Sequence, residues 1–172
     1  ELIHIGEDAL PFLEIAARNE DLLIRTNAQA VLNDLLPIQL ERRFSGLLQR
    51  GKDIDLEEGV FLLMQFGYPD SNPDQYRKYL DDLANELAPR IQRNTSPMKV
   101  VKTLTQFLFQ EKRFSGNKNN YFTADNTYLN KVLLEKSGIP ISLSALCIFI
   151  ANRIKQPIVG VGLPCHFIVK YN

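Results

Sequence analysis

Cysteine and histidine are scarce in this chain, with two of each among 172 residues. Cys147 and Cys165 are too few for a disulfide framework and have no metal-ligand spacing, and His4 and His166 stand too far apart to repair that. We therefore expect neither a structural metal nor a cofactor. Charge of one sign is also missing. Twenty basic residues balance twenty acidic ones, so no net field draws the chain to phosphate backbones or anionic lipid. Nucleic acid and membrane surfaces are thus poor partners. The longest apolar run, Leu143 to Ala151, contains a serine and is far shorter than the roughly 20 residues that span a bilayer. Few cysteines suit a reducing compartment, and the expected location is cytoplasmic. No signal-like start follows Glu1, but a trimmed chain would hide one.

What is present is a globular composition, 45% hydrophobic, in a length that fits one domain or a domain with a small helical appendage. Residues 7–36 read as two helices, with Asp8 as first cap, Pro11 in the first turn and Asp21 paired to Arg25 four residues on. Their pattern resembles one HEAT-type repeat, which cannot bury its own faces and must pack on its neighbours. We expect a hairpin over 1–36 and a core over 37–172. Helices are expected over 37–50 and 56–66, followed by the GYPDSNP turn cluster. A long amphipathic pattern around Tyr76, Leu80, Leu83 and Leu87 should end near Pro89, and another helix should open at Ser96 and Pro97 and run through Phe109.

From residue 114 the texture changes. FSGNKNNYFTADN is a loop rich in Gly and Asn, which tolerate left-handed backbone and bond their own neighbours. TYLNKVLLEKSG should be a helix capped by Asp125 or Asn126 and stopped at Gly138. The helix opened by Pro140 is apolar nearly all round, as a helix at the centre of a domain must be. PIVGVGL and CHFIVKY read as two strands. Helices followed by strands give a predominantly helical α+β fold.

These segments carry a resemblance. The loop with Gly116, Asn117, Asn120 and Tyr121, the helix with Asn126, Leu129 and Asn130, the run Gly138–Leu143, and the strand with Pro164, His166 and Phe167 resemble the SirB-type transglutaminase-like core family. The stretch from about Leu56 to Phe109 resembles that family's leading helices, so about two thirds of the chain is covered. Several motifs in the right order make the match specific. The resemblance implies a transglutaminase-like or papain-like fold. In it a nucleophile opens a central helix, a histidine sits on the neighbouring sheet, and an acid on the next strand completes a triad. The last expected strand ends close to Asn172, so we expect that acid, and the rest of the sheet, to lie beyond this sequence.

The helix start at Pro140 is informative without any family. First-turn N–H groups and the positive dipole end stabilise a developing anion and activate a nucleophile placed there. Ser142 lies in that turn, where the resemblance would put a cysteine. A hydroxyl needs a positioned base, and His166 is the candidate. Without an orienting acid it is a weaker one. Cys165 is the other nearby nucleophile, but adjacent strand residues face opposite ways. With His166 and Ile168 directed at the central helix, Cys165, Phe167 and Val169 face away. Cys147, in mid-helix, reads as a small buried hydrophobe. Asn117, Asn120, Tyr121, Asn126 and Asn130 are candidate binding residues along a polar wall, or alternatively hold the loop and cap the helix, and Cys165 is a further candidate binding residue.

Two functions fit. One is a non-catalytic module that binds a peptide or protein in the cleft. The other is an amide or ester hydrolase, or acyl transferase, in which Ser142 attacks and His166 is the base. An enzyme using the Cys165 thiol is a third. An open sheet edge also invites pairing with a second copy.

Overall fold

The computed structural model describes residues 9–51, 54–92, 94–164 and 166–172. Helix α1, Leu10–Ala16, has Pro11 in its first turn, and the cap expected at Asp8 lies outside the described residues. Helix α2, Leu22–Gln49, begins at Asp21, whose Oδ1 accepts from the N–H groups of Leu23 at 2.8 Å and Ile24 at 3.4 Å. Asp21 is therefore a cap and not the partner of Arg25, whose guanidinium donates to the carbonyls of Asn19 and Glu20. The break expected after residue 36 is absent. Pro37 lies inside one 28-residue helix. A proline there removes one bond of the ladder, and burial of Leu35 and Leu40 on either side holds the helix together.

The two halves of α2 serve different cores. The first half packs on α1 through Leu13, Ala28 and Leu35, while the second buries Leu40 and Leu47 with Leu62. Leu62 belongs to α3, Leu56–Gly67, capped by Asp55 through the N–H groups of Glu57 and Glu58. Phe61 and Met64 turn the other side of α3 toward the main core. Helix α4, Pro73–Leu87, is capped by Asn72 and gives way at Ala88–Arg90 to a single 3-10 turn around Pro89. Helix α5, Pro97–Thr105, was expected to continue as regular α-helix, but Gln106–Glu111 is a π-helical turn in which Lys112 N–H reaches the Phe107 carbonyl. The wider turn lets consecutive Phe107 and Leu108 both be fully buried.

The remainder is organised around one helix. Strands β1, Ser115–Gly116, and β2, Ser137–Gly138, pair in parallel and bracket α6, Leu129–Glu135. The cap position of α6 is Tyr128, not Asp125 or Asn126, and its stop is Lys136 at φ 51°, not Gly138. Helix α7, Pro140–Arg153, is buried without interruption from Ser144 to Ala151 and packs against α3, α4, α6 and a hairpin. That hairpin is β3, Ile158–Leu163, and β4, His166–Tyr171, antiparallel with Ile158 opposite Tyr171 and Leu163 opposite His166. At the far end of α7, Arg153 makes a two-pronged pair with Glu57 at 2.6 and 2.9 Å and reaches Asp81 at 2.6 Å, tying α3 and α4 to the central helix. The fold is predominantly helical α+β.

Candidate functional site

The site is built at the start of α7. Pro140 occupies the first helical position, where its missing N–H is no loss, and Ser142 follows within the same turn. The Ser142 hydroxyl is buried and has three polar neighbours. Its Oγ accepts the Ile139 N–H at 3.1 Å, donates to the Asn126 carbonyl at 2.6 Å, and has the Ile139 carbonyl as a second, longer acceptor at 3.1 Å. Gly138 makes this possible, because a Cβ at that position would lie 2.7 Å from Ser142 Oγ and 3.2 Å from Val132.

Asn126 extends the same network into the loop. It is buried, and its Nδ2 donates to the carbonyls of Asn120 at 2.7 Å and Tyr121 at 2.9 Å. Its Oδ1 accepts from Asn117 Nδ2 at 3.0 Å, and Asn117 Oδ1 accepts the Asn120 N–H at 3.0 Å. These amides brace the loop and join it to the first turn of α7. Asn130 looks elsewhere: its Nδ2 donates to Ser71 Oγ at 3.1 Å, and its buried Oδ1 has no hydrogen-bond partner among the described residues.

His166 is the first residue of β4 and is exposed. Here the facing expected of the strand is reversed. Val169 and Tyr171 pack on the core and Phe167 is half-buried with them, whereas His166, Ile168 and Lys170 lie on the open face. The reason is area: Phe, Val and Tyr remove more apolar surface from water than His, Ile and Lys, and one register places a whole set inside. Gly160 accepts that choice, since a Cβ there would stand 2.6 Å from the Phe167 ring. The signal available beforehand was Lys170, which shares a face with His166 and would have needed a buried partner.

Two adjoining clefts result. An almost wholly apolar one of about 280 Å³ lies between α3, α6, α7 and β4, with Val60, Leu63, Leu129, Ala145 and the edge of Ser142 in its wall. A more open one of about 580 Å³ is lined by Tyr121, Pro140, His166 and Ile168. Ile141 and Phe167 border both. Ser142 thus faces one cleft and His166 the other, with no hydrogen bond between them. Tyr121 stacks edge-on with Phe122, their ring centroids 5.3 Å apart, and Phe122 is 97% exposed. Cys165 lies outside the described residues. Cys147 is buried, and burial pushes its thiol up to about 12, so it is no nucleophile. Among the described residues no group of three or more His, Cys, Asp or Glu side chains is placed to hold a metal ion. Leu63, which sequence reasoning did not single out, forms a wall together with Ile141 and Phe167, which entered it as parts of the family motifs and not as cleft residues. Ordinary apolar periodicity marked Leu63 only as core.

A family model described as the transglutaminase-like superfamily matches residues 74–172, more than half the chain, including Ser142 and His166 but not the α3 wall of the apolar cleft. The chain belongs to that superfamily. Within this transglutaminase-like group it is of the SirB type. It is 30% identical over 118 residues to a UPF0162 protein of Xylella fastidiosa, which covers 68% of this chain and 42% of that protein. Protein SirB1 of Salmonella typhimurium is 29% identical over 91 residues, 53% of this chain and 34% of SirB1. The human F-box only protein 21 is 34% identical over 73 residues, 42% of this chain and 12% of that protein. The chain therefore spans less than half the length of these curated relatives. No solved structure matches it. Among the described residues no helix is long and apolar enough to cross a membrane.

Proposed function

We propose that this chain is a non-catalytic peptide- or protein-binding module of the transglutaminase-like superfamily. The supporting observation is the engagement of Ser142: its one proton has two main-chain carbonyls as acceptors, Asn126 at 2.6 Å and Ile139 at 3.1 Å, and one lone pair takes the Ile139 N–H. Attack on an acyl carbon requires that proton to pass to a base, and His166 borders the neighbouring cleft instead. The acyl-transfer alternative draws support from the nearness of the two clefts and needs Ser142 to turn away from Asn126 on binding.

The test is covalent labelling of the chain with serine-directed and thiol-directed acylating probes, alongside Ser142→Ala, His166→Ala and Cys165→Ser. The binding-module reading expects no label at Ser142. Serine labelling that vanishes in both Ser142→Ala and His166→Ala defeats it, and thiol labelling lost only in Cys165→Ser restores the thiol enzyme. We place the module in the cytoplasm on its low cysteine content. We also propose pairing of two copies through the hairpin, for which no third strand is present among the described residues. Light scattering showing only monomer at high concentration removes that part.

A further inference from the structure

The two clefts differ in kind, and the difference specifies an occupant. The smaller one presents almost no polar atoms, and its rim leaves large aliphatic groups in water: Ile141 is 51% exposed and Leu56 46%. Surfaces of this sort are uncommon unless something covers them. Among the described residues no charged side chain lines it. Of the nearby carboxylates, Asp55 caps α3, Glu57 is held by Arg153, Glu58 by Arg50 at 2.8 Å, and Asp125 by Tyr68 and Lys131. A charged group placed in the cleft would therefore lose its hydration without compensation. The complement is an uncharged apolar group.

Its size is that of a side chain. At about 280 Å³ the cleft is smaller than most pockets that enclose an entire small ligand. The adjoining trough changes character at Tyr121 and His166, where polar groups line it. A hydrocarbon chain would need continuous apolar lining. A peptide needs one apolar hole for an anchor and an amphipathic trough for its backbone and neighbours. We propose that these clefts together bind an extended peptide segment anchored by one bulky uncharged apolar side chain, of leucine or phenylalanine type, packed against Leu63, Ile141 and Phe167. This rests on the binding-module reading and adds the chemistry of the partner to it.

The experiment is a methyl-NMR titration of the chain, read at Leu56, Leu63, Ile141 and Ala145. The probes are the N-acetyl amides of leucine, phenylalanine, glutamate and lysine, the tripeptide N-acetyl-Ala-Leu-Ala-amide, and decanoate. The leucine and phenylalanine amides should produce saturable shifts, on the order of tenfold tighter than the charged amides. The tripeptide should also move signals of Tyr121 and His166. Ala145→Phe, which fills the hole, should abolish the shifts, and Ile141→Asn, a change at an exposed position that leaves folding intact, should weaken them. Equal binding of charged amides, preference for decanoate, or shifts unaffected by both variants overturns the inference. So do shifts at these methyls that appear on concentrating the chain alone, which assign the cleft to a second copy. Serine labelling of Ser142 overturns the underlying reading whatever the amides do, so the two failures are distinguishable.

Discussion

The hydroxyl of Ser142 donates to the main-chain carbonyl of Asn126, sixteen residues earlier, at 2.6 Å. One bond thereby joins the first turn of the central helix to the loop that carries Tyr121 and Phe122. It also accounts for Gly138, which leaves room for the Oγ atom.

Removing the hydroxyl strands a buried acceptor. Ser142→Ala should lower stability by about 1–3 kcal/mol in urea unfolding, and faster hydrogen exchange should follow across residues 117–126. Gly138→Ala should cost about 1–3 kcal/mol by overpacking. Because both changes act on the same space, the double variant should be less damaged than the sum of the two, with a coupling of about 0.5 kcal/mol or more. Strict additivity would show that the two residues do not share this contact.

The orientation of β4 makes opposite predictions for neighbours. Phe167→Ala removes a half-buried ring that packs over Gly160 and should destabilise by about 2 kcal/mol, somewhat less than for a fully buried Phe. His166→Ala, on the exposed face, should change stability by no more than about 0.5 kcal/mol. Thermal unfolding of the two variants decides the facing, and the reverse order would restore the strand orientation expected from sequence.

Arg153 holds two carboxylates at the opposite end of α7 from the site. Its guanidinium pKa is raised, chiefly by the hydrogen bonds to Glu57, with Asp81 adding to the effect against some desolvation. Arg153→Ala leaves Glu57 partly buried and alone, and a loss of about 2 kcal/mol is expected. Glu57→Gln should lose less, since an amide keeps one acceptor for the guanidinium. Equilibrium unfolding in denaturant at moderate salt measures both.

Tyr68 supplies a pH signature. Its phenol donates to Asp125 Oδ1 at 2.5 Å, and that bond, followed by desolvation and nearby carboxylate charge, pushes its pKa from 10.0 up to about 12. A raised folded-state value means the protonated phenol is favoured on folding. The contribution is complete below the unfolded pKa near 10 and is lost as pH climbs toward 12. Tyrosinate absorbance should show one late-titrating tyrosine that disappears in Tyr68→Phe, and the variant's stability should fall less steeply with pH over that window.

Cys147 should stay inert. A thiol whose ionisation is held near 12 by burial offers almost no thiolate at neutral pH. Labelling by a thiol reagent in Cys165→Ser should occur at the global unfolding rate, and prompt reaction in the native state would contradict the burial.

Local chemistry made much of this architecture legible in advance. Pro97 and Pro140 open helices because a ring without an N–H fits the first turn, and Pro89 ends one because the same ring cannot continue the ladder. The nearly all-apolar stretch after Pro140 announced a buried helix because two serines are its only polar side chains before Asn152. Polar side chains that bond over a few residues were readable in kind, as the amides of Asn117 and Asn126 illustrate.

What the sequence by itself determined is most of the helices, the closing pair of strands, the central helix and the motif order. Tertiary structure alone decided which face of β4 is inward, whether α2 survives Pro37, and that the Ser142 hydroxyl reaches the Asn126 carbonyl. Those outcomes depend on competition among distant groups for the same buried space, such as Phe167 against His166 for the surface of α7. No local pattern contains the result of that competition, because it is settled by the total apolar area removed from water and by which carbonyl lies within reach of a hydroxyl once the chain has folded.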